Sequence, residues 1–340
     1  MPHLRLAANK QTGVCYAITV EGLELPVIDI THPAFAEAVL TDADLQARFL
    51  RFLTRSPFRR LPKFLRQRLM ARMMRGSLVG QVMQQARGTF VSGTSTYIMK
   101  LGPGMLGTVS TRSIDRHIAQ GPSLLSMRLR LRDMAHYLAD TVEPLLAAGS
   151  RLPLQFVDVA GGPAADAWNA LLLLHQRQPG LLNARAIAID VFDQDEAGPA
   201  FGQAAVAALC EPAYPLQGLA ITFRRVPYDW RHTAPLEQAL ATRASGTLTL
   251  ASSEGGLFEY GEDEAIVANL TALRQAGSVI AVAGTFAAAD ELSRKMRADH
   301  GAAVHPRSVA AFAALAARTG WKISRLHEVP LSNRVLLTPE

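Results

Sequence analysis

The sequence predicts a two-part α/β protein, with a mainly helical region over residues 1–150 and a mostly parallel sheet over 151–340. Three observations carry this. From Arg151 onward, short apolar runs alternate with helix-length amphipathic segments, the pattern of repeated βα units. The first two runs, Leu154–Val159 and Ala184–Ile189, flank a Gly161-Gly162-Pro163 turn and an apolar-periodic helix, which reads as one β-α-β unit. The last two runs, Lys322–His327 and Arg334–Leu337, are separated only by Glu328–Asn333. That is too short for a parallel crossover, so they must pair antiparallel at one edge of the sheet.

In chain order, a short strand is expected at Tyr16–Val20, then helices. Thr41 to Asp44 is a candidate N-cap leading into Leu45–Leu53. Pro57 and Pro62 should split the following segment into two or three short helices. Gly88–Gly107, rich in Gly, Ser and Thr, reads as a structured loop carrying Tyr97 and Lys100. A helix over Ser123–Leu146 then leads into the sheet. Further strands are expected at Ala220–Val226, Thr247–Ala251 and Val279–Ala283. Helices are expected at Ala164–Gln176, Pro199–Leu209, Ala234–Thr242, Asp263–Gln275, Ala287–Asp299 and Arg307–Thr319.

Composition narrows the class. At 340 residues and 49% hydrophobic, the chain can bury a large core. No apolar run approaches the ~18–20 residues of a membrane span. The N-terminal residues lack a secretory apolar segment, and Cys15 and Cys210 are the only cysteines, so a reducing, cytoplasmic setting is expected. The histidines show no metal-ligand spacing, and no metal is expected. The net charge of +6 is concentrated between Arg48 and Arg75, where ten Arg and Lys residues occur without one acid, interleaved with Phe49, Leu53, Phe58 and Phe64. Such a segment can meet nucleic acid or anionic lipid, but it reads first as a solvated helical face whose apolar side packs in a core or a homodimer seam.

The chemistry-bearing residues gather at the ends of the predicted strands. Asp158 precedes the glycine turn, and Asp190 follows the second apolar run. Small residues let backbone approach a ligand closely, and an acid at a second strand tip can accept from ribose hydroxyls. A nucleoside-bearing cofactor is therefore expected.

Over about residues 151–340 the chain resembles the class I S-adenosylmethionine (SAM)-dependent methyltransferase family. Phe156-Val157-Asp158-Val159-Ala160-Gly161-Gly162-Pro163 is similar to the family's first motif, and Asp190 stands where its second acid ends strand two. Val226-Pro227-Tyr228-Asp229-Trp230 looks like the motif after strand three. Thr249-Leu250-Ala251-Ser252-Ser253-Glu254 occupies the end of strand four. The resemblance implies a Rossmann-like, seven-stranded sheet closed by the antiparallel hairpin. The chain departs from the motif at Ala160 and Ala164, where the family often has glycine. Alanine there weakens a nicotinamide or flavin reading, because a pyrophosphate needs close backbone approach along the turn.

On this resemblance, Asp158 would receive the methionine ammonium, and Gly161, Gly162 and Pro163 would pass the sugar and sulfonium. Asp190 would hold the ribose, Val191 would face the adenine, Asp229 would accept from its amine, and Trp230 would wall the pocket. Ser252 would also face the cofactor. Ser253, Glu254 and Tyr260 just past the fourth strand, with Tyr97 from the Gly-rich loop acting as a lid, are the catalytic candidates. The implied activity is methyl transfer from SAM to a small molecule. Two alternatives stay open: an enzyme that cyclises or cleaves SAM itself, releasing methylthioadenosine, for example in forming azetidine-2-carboxylate, and, on the basic stretch alone, an RNA methyltransferase.

Overall fold

The computed structural model describes residues 4–37, 40–54, 62–74, 76–85, 92–110, 113–297 and 304–340. The N-terminal half opens with an antiparallel pair, β1 (Tyr16–Ile18) and β2 (Glu24–Pro26). Helices α1 (Asp42–Thr54), α2 (Lys63–Met74), α3 (Leu78–Gln85) and α4 (Gly93–Lys100) follow. Then come α5 (Pro103–Val109), α6 (Ser113–Ala119) and the long α7 (Pro122–Ala147). Thr41 starts α1 with a reciprocal cap: its hydroxyl accepts from the Asp44 amide at 3.1 Å, and its own amide donates to the Asp44 carboxylate at 3.1 Å.

The expected loop between Gly88 and Gly107 is corrected: residues 88–91 lie outside the described residues, and the remainder forms α4 and most of α5. Its glycines sit where helices tolerate them. Gly93 opens α4 behind a Ser92 cap, and Gly102 is the N-cap before Pro103. Of the basic stretch, Arg48, Arg51, Arg68 and Arg72 are exposed on α1 and α2. Leu45 and Phe49 turn inward onto Leu125, Leu129 and Val329. Arg55, Pro57, Phe58, Arg59, Arg60 and Arg75 lie outside the described residues.

The second half alternates as expected: β3 (Leu154–Val159), α8 (Ala165–Arg177), β4 (Ile187–Phe192), α9 (Ala197–Leu209), β5 (Ile221–Val226) and α10 (Ala234–Ala241). It continues through β6 (Leu248–Ser253), α11 (Leu257–Tyr260), α12 (Asp263–Gln275) and β7 (Val279–Ala287). It ends with α13 (Glu291–Arg297), α14 (Val309–Ala317), β8 (Trp321–His327) and β9 (Ser332–Pro339). The seven-stranded sheet has the order β5-β4-β3-β6-β7-β9-β8. Strands β3 to β7 run parallel, while β9 lies antiparallel between β7 and β8. The chain leaves β3 toward β4 on one side and returns on the other as β6. The crevice at the carboxyl ends of β3 and β6 is therefore the topological switch point where open α/β sheets bind ligands.

One boundary differs in a way that matters for the site. The second strand of the β-α-β unit was expected to stop at Ile189 and runs on to Phe192. Asp190 pairs in register with Val157 and Arg224, inside the strand. The acid at the strand's end is Asp193.

The core is shared across residue 150. Tyr97 of α4 is fully buried, its ring 4.7 Å from Phe201 of α9 and 6.0 Å from Trp168 of α8. Trp168 Nε1 and Asn169 Nδ2 both donate to the Ile28 carbonyl, at 2.9 and 3.1 Å. The segment after β2 is thus laid across α8.

Candidate active site

The turn after β3 is built by conformation more than by composition. Ala160 and Ala164 have φ of +58°, and the neighbouring Gly162 has +66°. Alanine takes the left-handed region at a cost of about 1–2 kcal/mol per residue, so this turn holds a glycine-like path where the sequence departs from the motif. Gly161 is required by contact: a Cβ there would lie 2.3 Å from the Asp158 carboxylate. In its absence, the Gly161 amide donates to Asp158 Oδ1 at 2.6 Å.

Aspartates of the next loop pin the turn from above. Asp193 Oδ2 accepts from the Gly162 amide at 3.0 Å, and its Oδ1 from the Asp195 amide at 2.8 Å. Burial, only partly offset by those amides, pushes the Asp193 carboxyl up to about 6. Asp195 Oδ2 accepts from Gly93 at 2.7 Å and from Gly198 at 2.9 Å, tying the first residues of α4 to those of α9. The three backbones touch: a Cβ on Gly93 would stand 2.8 Å from the Cα atoms of both Gly162 and Gly198. The N-terminus of α4 therefore rests directly on the glycine turn.

Below the turn lies a buried charge cluster. Asp158 and Asp166, the latter in the first turn of α8, are 0% and 1% exposed. Their carboxyl groups contact each other, and Ser252 bonds Asp166. Among the described residues, no other group donates a hydrogen bond to Asp158 Oδ2 or Asp166 Oδ2. Next to them, Glu254 bonds Lys100 of α4 through Oε2 and Arg130 of α7 through Oε1. Arg130 also reaches Glu259 at 3.0 Å, and Glu259 accepts from Thr285 at 3.0 Å and Ser332 at 2.9 Å. Burial alone would lower Arg130, but Glu259 and Glu254 outweigh it and hold the guanidinium above its ordinary value.

The candidate residues from the sequence fall into three groups. Asp158, Gly161, Gly162, Pro163, Ser252 and Glu254 converge at the carboxyl ends of β3 and β6. Ser253 is beside them, its hydroxyl donating to the Val159 carbonyl at 2.9 Å, and Tyr260 is on α11 with burial raising its phenol. A second group is engaged elsewhere. Asp190 accepts from Gln155 at 2.6 Å and from Arg224 at 3.0 Å, and Val191 is fully buried in β4. Asp229 is bound by Arg231 at 2.6 Å, a hydrogen bond that holds its carboxyl down at about 2. The Trp230 carbonyl accepts from Asn269 at 2.7 Å. Tyr97 forms the third: its hydroxyl donates to the Pro26 carbonyl at 2.8 Å and accepts from the Ile28 amide at 2.7 Å. It is a core pillar beneath α4 rather than a residue on a lid loop.

Sequence reasoning missed Asp166, Asp193, Asp195, Gly93 and Gly198 as members of this edge. Two signals were available: the Asp193-Gln194-Asp195 run directly after an apolar strand, and an acid three residues after the turn proline.

No known protein-family profile matches the sequence, and no curated protein matches it. Solved structures are similar at low identity. The mitomycin 7-O-methyltransferase MmcR is 13% identical, with a TM-score of 0.40, 90% of this chain and 74% of that chain covered. The complex of LepI with SAM is 14% identical, with a TM-score of 0.45 and coverage of 88% and 93%. The pyocyanin biosynthetic protein PhzM is 18% identical, with a TM-score of 0.39. The alignment takes in 68% of this chain, which spans 60% of PhzM's length. The topology described above, parallel through β7 and closed by a reversed hairpin, is the seven-stranded arrangement that the sequence resemblance implies.

Proposed function

We propose that the chain is a SAM-dependent methyltransferase acting on a small molecule, with residues 1–150 closing the site of a SAM-binding unit at 151–340. The observation that carries this is the left-handed turn after β3 with two buried carboxyl groups beneath it. Carboxyl oxygens that no protein donor satisfies suit a ligand bearing a cation, and SAM brings an ammonium and a sulfonium to that edge. When bound, SAM supplies an activated methyl group.

This chain's own residues then divide the work. Asp158 receives positive charge, and Gly161 and Gly162, having no Cβ, let the turn lie against the Asp158 carboxylate and the start of α4. The ribose contact implied for Asp190 passes to Asp193, since Asp190 lies inside β4, in register with Val157 and Arg224, and Asp193 follows the strand's end. Lys100 and Arg130 bring the N-terminal helices onto Glu254, which excludes water from the edge of the sheet. Because the Gly93 backbone lies against Gly162, a nucleoside reaches the turn only as α4 shifts.

Both Glu254 oxygens are bound by cations, so Glu254 orders the site. That favours chemistry driven by proximity: methyl transfer to an acceptor that is already nucleophilic, or the reading in which SAM is itself the substrate. In the latter, Asp158 and its neighbours would hold SAM as substrate; its ammonium would give up one proton to solvent, the freed amine would form a bond to the aminocarboxypropyl carbon attached to sulfur as that carbon–sulfur bond broke, and methylthioadenosine would leave. Incubating the protein with SAM, with and without candidate small-molecule acceptors, and resolving the nucleoside products by mass spectrometry separates the two. S-adenosylhomocysteine marks methyl transfer and methylthioadenosine marks the alternative. Neither product, with no SAM binding in equilibrium dialysis, refutes both.

A further inference from the structure

We infer that Asp166, on the first turn of α8, joins Asp158 in a paired-carboxyl receptor for the ligand's ammonium, and that the pair exchanges a shared proton for that ammonium on binding. The inference rests on the SAM reading and adds to it a second carboxyl group and a proton.

The geometry comes first. Two carboxyl groups in hydrogen-bonding contact need a proton between them, because ionised carboxylates only accept. Among the described residues Asp158 Oδ2 and Asp166 Oδ2 have no other donor, although both residues are almost wholly buried. An orphaned buried acceptor is costly, so the proton satisfies the pair in the empty protein.

Among the described residues the surroundings do not supply a free cation to replace it. From β4's end Asp193 faces Asp158, and from the loop after β6 Glu254 faces Asp166. Both are acids. Lys100 of α4 acts on Asp166, and it is bound to Glu254. Arg130 of α7 is shared between Glu254 and Glu259. Ser252 is neutral. Burial first, then this mutual repulsion, raises the Asp158 carboxyl well above its ordinary range, and burial raises Asp166.

An incoming ammonium changes the balance simply. One proton leaves to solvent, one positive charge arrives, and the net charge of the pair with its guest is unchanged. The ammonium's N–H donors take the place of the shared proton. Affinity should therefore rise with pH, by up to tenfold per pH unit, across the window in which the empty pair is protonated.

The test is calorimetric titration of the wild-type protein with S-adenosylhomocysteine, which keeps the ammonium, in two buffers of different ionisation enthalpy at pH 7. Close to one proton released per ligand is expected, falling to near zero in Asp166→Asn, with the affinity of that variant flat between pH 6 and 8. Binding without proton release, or release that persists in Asp166→Asn, overturns the inference and leaves the cofactor reading standing. No binding to the wild type overturns the cofactor reading and this with it. Should Asp166→Asn lose its native circular dichroism, the wild-type two-buffer measurement and Asp158→Asn decide the matter in the same way.

Discussion

Replacing Tyr97 by phenylalanine separates the two roles this residue can be given. The hydroxyl sits between the Pro26 carbonyl, 2.8 Å away, and the Ile28 amide, 2.7 Å away, in a site with no solvent exposure. Its removal leaves that buried N–H without its partner, and leaving such a group unsatisfied costs about 1–3 kcal/mol. The ring is retained, so its packing on Phe201 and Trp168 stays. Tyr97→Phe should then lose about 2 kcal/mol of stability. Tyr97→Ala, which also empties the ring's volume, should lose on the order of 5 kcal/mol, a large part of a typical domain's total. Urea denaturation followed by circular dichroism reads both variants, and an unchanged slope would show that only stability has moved. If Tyr97→Phe were as stable as wild type while turnover fell more than tenfold, the hydroxyl would be serving a ligand, and the core-pillar assignment would be wrong.

Three further outcomes follow from the same geometry. In Gly93→Ala the new methyl meets backbone at 2.8 Å on two sides, where no rotamer can relieve it. Overpacking of about 1–3 kcal/mol should appear as faster amide exchange in α4, and unchanged protection there would refute the contact. Asp193 is held up at about 6 by burial, so its contribution to stability is complete below the ordinary value of 3.8 and is lost as pH rises through about 6. The stability of wild type relative to Asp193→Asn should accordingly drop by about 2.5 kcal/mol between pH 4 and 7.5, measured by urea melts, with a constant difference counting against it. Glu254→Gln leaves Lys100 and Arg130 short of a buried counter-charge, and breaking such a pair from one side costs about 3–5 kcal/mol. A thermal melt matching wild type would show the cluster to be solvated.

The sheet was legible because its signals are local. Leu154–Val159 and Asp263–Gln275 have the bounds that periodicity alone indicates, and the short span between the last two strands forces their antiparallel pairing. The misreadings arise where tertiary contacts outweigh local preference. Gly, Ser and Thr argue against helix in 93–109, yet α4 forms because Ser92 caps it and Tyr97, Ile98 and Lys100 find buried partners. Asp190 looked like a strand end because a charge interrupted an apolar run. It is mid-strand because Gln155 and Arg224, on the flanking strands, satisfy it there. No one-dimensional pattern contains those cross-strand partners.

The position of the buried charges ties the N-terminal helices to the sheet's chemistry. An interior ion pair adds little to stability, since desolvating both charges takes back much of their attraction. Apolar packing along α7 and α8 already holds the two halves together. Lys100 and Arg130 are therefore poorly explained as glue. They come from two different N-terminal helices, and both end on Glu254, at the carboxyl edge of β6 beside Asp158 and Asp166. That arrangement fixes where the acids stand and, among the described residues, leaves the carboxyl pair as the part of the cluster with no cation bound to it. A charged ligand at that edge would complete the balance, and the N-terminal helices would then matter to binding because they commit the neighbouring glutamate and leave the aspartates to the guest.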